Sequence, residues 1–76
     1  NSGASIFEVE INGQSKVTNQ KLCKIGLPPQ SIISCIIRGE QIIIPEGNTE
    51  LMVNDKAIVV SAPDAMGRVI NILTGK

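Results

Sequence analysis

Two β-branched runs on either side of an Arg-Gly-Glu step constrain the fold of this 76-residue chain most strongly. The first run, residues 32–38, is nearly continuous in apolar side chains, and the second is the three isoleucines of residues 42–44. β-branched side chains favour strands, and Gly39 permits the tight backbone of a hairpin between them. The pattern predicts two antiparallel strands, the first of them buried on both faces or buried on one face and covered by a second copy on the other.

A third strand follows the same region of the chain. The Pro-x-Gly-x-Thr loop over residues 45–49 ends the second run, and the polar step Asn54-Asp55 leads into Lys56 to Val60. Asn adopts a positive φ at modest cost, which suits a turn at this point. We therefore predict that the three strands form a meander.

An alternating segment near the start predicts one more strand, with one face exposed to water. In residues 6–11 the apolar positions recur at every second residue, as do the charged ones: Phe7, Val9 and Ile11 on one face, Glu8 and Glu10 on the other. Asn12-Gly13 then ends the strand.

The next segment predicts a short helical turn and a stiff connector. Lys21 to Ile25 places Leu22 and Ile25 on one side, with Thr18 or Asn19 as the cap and Gly26 in the left-handed position that closes a helix. Leu27-Pro28-Pro29 cannot continue that turn, because proline restricts the residue before it to extended backbone.

The last segment predicts an amphipathic helix. Ser61 with Asp64 three residues later resembles a capping box, and Gly75 suits the left-handed end of the helix. The apolar stripe consists of residues spaced by three and four, namely Met66, Val69, Ile70 and Leu73.

These elements predict an α+β fold, in which a small, mostly antiparallel sheet of about four strands is covered on one face by the C-terminal helix and the short helical turn. Residues 1–4 are expected to be a disordered lead and residues 5–76 a single domain. A chain of this length buries only about 60% of the surface that its unfolded form exposes. Association of two copies is therefore expected to stabilise it.

Composition excludes several classes of function. The formal charge is zero and Phe7 is the only aromatic residue, so neither a cationic track nor a stacking platform for nucleic acid is expected. The apolar runs fall far short of the roughly 20 residues of a membrane span, so a soluble domain is expected, and no secretory signal is visible.

Catalytic and metal sites are not expected either. The sequence contains no histidine and only two cysteines, Cys23 and Cys35, which we interpret as small buried apolar side chains rather than a disulfide or metal ligands. No cofactor motif is present. Most carboxylates are expected to be solvated, and Asp55 is expected to fix its turn by accepting backbone N–H groups.

Arg38 leaves two interpretations open. In the first, its side chain extends into solvent from the end of its strand or pairs with Glu40. In the second, its planar guanidinium group binds an anionic ligand or the Asp55 carboxylate of the same or a partner subunit.

Taken in order, the motifs resemble the TrkA C-terminal domain, a small regulatory module of potassium-transport subunits and several antiporters and exchangers. The matching residues cover about 16–74: Leu22, Leu27-Pro28, Ile33, Ile36, Arg38-Gly39, Ile44-Pro45, Gly47, Thr49, Leu51 and Asp55. Asn54 stands where the family usually has glycine. The resemblance gives Arg38, Gly39, Gly47 and Asp55 structural roles.

The resemblance also implies homodimerisation, with a ligand site between the two copies that in some members binds cyclic di-adenosine monophosphate. The expected ligand-binding residues are Lys24, Pro28, Pro29, Ile42, Ile44 and Pro45. Lys24 stands in the segment where those members have an arginine, and a lysine offers a point charge instead of a fork. We therefore expect weak binding of that dinucleotide.

The function that the resemblance implies is a cytosolic, dimerising, ligand-sensing regulatory domain of a potassium or other cation transport system, with a membrane transporter or channel subunit as partner and a small molecule or nucleotide as ligand. The alternative is a ligand-free oligomerisation module of a transporter, exchanger or transcription regulator.

Overall fold

The computed structural model of the chain describes residues 3–75. It contains four strands, two one-turn 3₁₀ helices and one α-helix: β1 (Ser5–Glu10), a first 3₁₀ turn (Leu22–Lys24), β2 (Ser31–Arg38), β3 (Gln41–Ile43), β4 (Lys56–Ser61), a second 3₁₀ turn (Pro63–Ala65) and α1 (Met66–Thr74). Residues 1 and 2 of the predicted lead, and Lys76, lie outside the described residues. The boundary between lead and domain stays a prediction.

The four strands form one antiparallel sheet in the order β1-β4-β2-β3. The predicted sheet of four strands with a C-terminal helix is confirmed, but the predicted meander is wrong. β3 occupies an edge and pairs with β2 alone, whereas β4 returns past it to pair with β1 and β2. β3 has three residues and β4 has six, so only β4 is long enough to align along both longer strands.

β2 has a register irregularity and is not buried on both faces, so that alternative is wrong, while the covering of its second face by another copy stays a prediction. Ile33 and Ile36 are both buried against the core, yet an odd spacing would normally place them on opposite faces. The irregularity between Ile33 and Cys35 restores them to the same face. Ile32 lies on the other face and is 61% exposed.

α1 covers the inner face of the sheet. Val69 and Leu73 are fully buried in the cluster that contains Val9 and Val59, as the apolar stripe predicts. Gly75 ends the helix at φ +79°, in the left-handed conformation that was expected. An added Cβ there would lie 2.5 Å from the Gln14 carbonyl oxygen, so the helix end requires glycine for space as well as for conformation.

The N-terminal caps predicted for both helical segments are wrong. Ser61 is the last residue of β4, is 3% exposed, and donates its hydroxyl proton to the Ala62 carbonyl, so it cannot cap the helix. The chain enters α1 through the second 3₁₀ turn, which begins with proline. Before the first 3₁₀ turn, Thr18 and Asn19 pair with Leu51, and Lys21 occupies the capping position without a side-chain bond.

The outer face of the sheet, opposite α1, is rich in exposed isoleucine. Strand register places Ile6, Val60 and Ile32 side by side across β1, β4 and β2. Ile42 lies on the same face at the β3 edge, opposite Ile37. Ile6 and Ile42 are 72% and 71% exposed, and Ile44, just beyond β3, is 73% exposed. This face of the sheet therefore presents an apolar surface to solvent, bordered along β1 by Glu8 and Glu10, which lie on the same face as Ile6.

Candidate ligand cavity and its supporting ion pair

A cavity of about 300 Å³ lies between the first 3₁₀ turn, the start of β2 and the loop after β3. Its lining is mostly apolar and consists of Leu22, Cys23, Leu27, Ser31, Ile32, Ile33, Pro45, Glu46 and Gly47. The size is at the lower end of small-molecule sites, which span about 300–1,000 Å³. Glu46 is the one residue in this lining that bears a charge.

Backbone hydrogen bonds join the two walls of the cavity. The amides of Leu22 and Cys23 donate to the carbonyls of Thr49 and Gly47, at 2.9 Å and 3.1 Å. The Thr49 hydroxyl accepts the Glu46 amide at 2.9 Å and so closes the loop on itself. The residues of the Pro-x-Gly-x-Thr motif therefore shape one wall and hold the 3₁₀ turn that forms the other.

Arg38 and Asp55 form an ion pair within the chain, at the end of β2. Arg38 Nε donates to Asp55 Oδ1 at 2.9 Å and Nη2 donates to Oδ2 at 2.8 Å, while Nη2 also reaches the Glu50 carbonyl at 2.9 Å. Asp55 is 1% exposed and its Oδ2 also accepts the Met52 amide. Of the interpretations left open for Arg38, the structure contains the pair with Asp55 of the same chain.

The environment of this pair lowers the pKa of Asp55. Burial alone would raise that pKa, but the hydrogen bonds from Arg38 and from the Met52 amide, together with the charge of Arg38, outweigh burial. The pKa of Arg38 is raised, chiefly because its guanidinium donates to Asp55. Both groups therefore remain charged over the physiological range.

Three turn positions adopt the positive φ that their glycine or asparagine residues favour. Gly39, between β2 and β3, has φ +62°, and Gly26, after the first 3₁₀ turn, has φ +75°. Asn54 has φ +77° in the turn before β4, so it adopts the conformation for which the family usually has glycine. The amide of Asn54 donates to the Ile11 carbonyl at 2.8 Å, which anchors this turn to the end of β1.

The expected ligand residues do not all come together. Pro45 lines the cavity, whereas Lys24, Pro28, Pro29, Ile42 and Ile44 are outside its lining. Lys24 and Pro29 are exposed and Pro28 is buried. Reasoning from the sequence missed Ile32, which lines the cavity and also belongs to the outer face of the sheet. Its position in an apolar strand gave no sign of this double placement.

The two cysteines are free thiols. Cys35 is half-buried, but Cys23 is exposed, so the expectation of a buried apolar side chain is wrong for Cys23. The first 3₁₀ turn lies at the surface with none of its three residues fully buried, and Cys23 faces the open cavity.

Residues 3–75 contain neither a metal-binding cluster nor a membrane-spanning helix. No group of three or more cysteine or acidic side chains there is placed to hold a metal ion. Within the same residues, no helix has the length and apolar character needed to cross a membrane.

Comparison with protein-family models matches residues 6–74 to the TrkA-C domain. Among curated relatives, the Trk system potassium uptake protein TrkA homolog 2 of Methanosarcina mazei is 30% identical over 63 residues, which are 83% of this chain and 14% of that protein. The TrkA homolog of Archaeoglobus fulgidus is 27% identical over 70 residues, 92% of this chain and 16% of that protein. The chain thus spans a small fraction of the length of these relatives.

Solved structures give the same result for the fold. A structure described as an RCK domain with cda aligns with a TM-score of 0.79 and 28% identity, covering 91% of this chain and 97% of that one. The RCK C domain of the potassium transport protein KtrA, in complex with cyclic diadenosine monophosphate, aligns with a TM-score of 0.76 and 25% identity, covering 90% and 81%. The expected fold class is confirmed.

Proposed function

The chain belongs to the TrkA-C domain family, as its motifs predicted, and on that premise we propose that it is a non-catalytic regulatory domain of a potassium or other cation transport system. The match over residues 6–74 carries the proposal. The relatives named as Trk potassium uptake proteins support potassium as the ion. The domain acts in the cytoplasm and reaches the membrane through a transporter or channel partner.

The regulatory role is tested in the full-length protein. Cation flux is measured in cells that produce the complete protein and in cells that produce a version lacking residues 5–75. A change in the regulation of flux supports the proposal, provided that the transporter subunit is present at equal levels in both. Unchanged regulation would contradict it.

We further propose that two copies associate through the outer face of the sheet. Ile6, Ile32, Ile42 and Ile44 are each more than half exposed, and the first three share this face. Adjacent exposed apolar side chains on one face are typical of an interaction surface. A symmetric pair needs about 1,200–2,000 Å² of buried surface in total, to which the face and its adjoining loops would both contribute.

The ligand proposed for this domain is a small, flat, mainly apolar molecule that contacts Pro45 and the cavity beside it. The apolar lining and the volume of about 300 Å³ support this choice. The exposed residues among the other expected ligand contacts, Lys24, Pro29, Ile42 and Ile44, would contribute when a second copy faces the cavity, whereas Pro28 is buried. A ligand regulates transport only if it binds one dimer arrangement more tightly than another.

One observation favours the alternative of a ligand-free oligomerisation module. The lining of the cavity contains the carboxylate of Glu46 and no lysine or arginine, which disfavours anionic ligands such as nucleotides. Thermal shift of the 76-residue chain against a panel of nucleotides and metabolites separates the two proposals. Stabilisation by a member of the panel supports ligand sensing, and a dimer that no compound stabilises supports the alternative.

A further inference from the structure

The Arg38 guanidinium connects the sheet to the loop that forms one wall of the cavity. We refer to residues 45–51 as the cavity loop. Arg38 is the last residue of β2, and its Nη2 donates to the Glu50 carbonyl at 2.9 Å, within that loop. The same nitrogen donates to Asp55 Oδ2, directly before β4. One planar group thus contacts the end of β2, the start of β4 and the cavity loop.

The other hydrogen bonds of the cavity loop lead away from the sheet. The loop accepts the amides of Asn19, Leu22 and Cys23 through the carbonyls of Leu51, Thr49 and Gly47, and the amide of Leu51 donates to the Gln20 carbonyl. These partners belong to the segment that contains the first 3₁₀ turn, which forms the opposite wall of the cavity. Within residues 3–75, the hydrogen bond from a strand residue to the cavity loop is the one that the Arg38 side chain donates to the Glu50 carbonyl.

We propose that Arg38 is a positioning residue for the ligand cavity. Its guanidinium group, held in place by Asp55, fixes the position of the cavity loop. Through the carbonyls of Thr49 and Gly47, the loop in turn fixes the position of the first 3₁₀ turn. The role requires a side chain that meets two acceptors in one plane. Arginine has this geometry and lysine does not, because an ammonium group is a single point. The inference rests on the proposed function only in treating the cavity as the ligand site.

Arg38→Lys tests the proposal, because it retains the charge beside Asp55 but loses the fork. Hydrogen exchange of backbone amides, followed by NMR on the 76-residue chain, reports the first 3₁₀ turn and the sheet separately. The amides of Leu22 and Cys23 should exchange roughly 10- to 100-fold faster, the effect expected for losing a hydrogen bond from a charged donor. The Val59 amide, in the central strand β4, should change much less. Arg68→Lys, on the exposed side of α1, is the matched control and should change neither.

Two results would overturn the proposal. The first is unchanged exchange at Leu22 and Cys23, and the second is a parallel acceleration at Leu22, Cys23 and Val59, which would mean that Arg38 only supports global stability. If Arg38→Lys does not fold, Asp55→Asn, which keeps an oxygen for the Met52 amide but removes the negative charge that fixes the fork, provides the same comparison.

A titration with cyclic di-adenosine monophosphate as probe adds a separate measurement. If the wild-type chain binds it, Arg38→Lys should weaken binding by at least about tenfold while Arg68→Lys leaves it unchanged, since displacement of a cavity wall costs binding contacts. Equal binding by Arg38→Lys would contradict the positioning role. If the wild-type chain does not bind this probe, which agrees with the weak binding expected of an anionic dinucleotide, hydrogen exchange alone decides the role of Arg38.

Discussion

Arg38 and Asp55 meet at two points, with Nε 2.9 Å from Oδ1 and Nη2 2.8 Å from Oδ2. Asp55 is almost fully buried, whereas the Arg38 side chain is 33% exposed. A buried carboxylate is costly unless each of its oxygens is paired, and here the Met52 amide supplies a further donor. The pair therefore fastens the turn before β4 to the end of β2.

Asp55→Ala should lower the free energy of unfolding by about 1–3 kcal/mol, because it leaves the Met52 amide and the Arg38 fork without their acceptor. Urea denaturation followed by circular dichroism measures the change. Glu40→Ala, at the exposed hairpin tip, is the control and should stay within about 0.5 kcal/mol of the wild type. Equal stability of Asp55→Ala and the wild type would contradict a role of Asp55 in folding.

The lowered pKa of Asp55 predicts a loss of stability in acid. The unfolded chain takes up a proton on this carboxyl near pH 4, and the folded chain does so only at lower pH. The stabilisation by Asp55 is therefore complete at neutral pH and is lost as the pH falls from about 4 through the pKa of the folded state. Unfolding free energies measured from pH 7 to pH 2.5 should fall less steeply for Asp55→Asn than for the wild type. Parallel curves would show that other carboxyls account for the acid sensitivity.

Local sequence patterns predicted the elements of this fold better than their pairing. Apolar and charged residues alternate in β1, and apolar residues such as Val69 and Leu73 recur at helical spacing in α1. Both are periodic patterns that can be recognised within a short segment of sequence. The position of β4 between β1 and β2 depends on contacts between distant residues, which no local pattern encodes. Ser61 is a second example: its local sequence resembles a helix cap, but the residue instead belongs to β4 and pairs with both neighbouring strands.

The candidate site was predictable where it depends on turn chemistry and less so where it depends on packing. Pro45 was expected at the site and lines the cavity, since the loop after β3 forms one wall. Ile32 and Cys23 were not expected there, because the cavity depends on the approach of the first 3₁₀ turn to the loop after β3, which arises from the Cys23 to Gly47 and Leu22 to Thr49 hydrogen bonds. These bonds join segments far apart in the sequence.

Two glycines of the C-terminal segment should respond oppositely to alanine. Gly75→Ala should destabilise the chain by about 1–3 kcal/mol, because φ is +79° and the new Cβ would meet the Gln14 backbone. Gly67→Ala, inside α1 with open space around it, should stabilise by about 0.5–1 kcal/mol through its better helix propensity. Thermal unfolding of both variants measures the pair. Unchanged or increased stability of Gly75→Ala would contradict the close approach at Gly75, and destabilisation by Gly67→Ala would contradict the open space there.

Dimerisation through the outer face predicts that a charge at Ile32 separates the copies. Ile32→Glu places a carboxylate beside Val60 on the apolar surface, and an unpaired charge buried in an interface is costly. Light scattering should give the mass of a dimer for the wild type at high concentration and the mass of a monomer for Ile32→Glu. Val53→Glu is the control, since Val53 is 45% exposed but lies in the turn before β4 and not on the sheet, and it should remain dimeric. A wild-type chain that stays monomeric would contradict this association.

Cyclic di-adenosine monophosphate should bind this isolated chain weakly, although a solved relative contains it. Phosphate recognition favours an arginine fork, whereas Lys24 is outside the cavity lining and Glu46 places a negative charge within it. Calorimetry at physiological salt should therefore give an affinity weaker than micromolar, and Glu46→Gln should strengthen binding severalfold by removing the repulsion. Submicromolar affinity of the wild type would overturn this expectation. Lys24→Ala completes the series: if its affinity equals that of the wild type for whichever compound binds, Lys24 does not belong to the site.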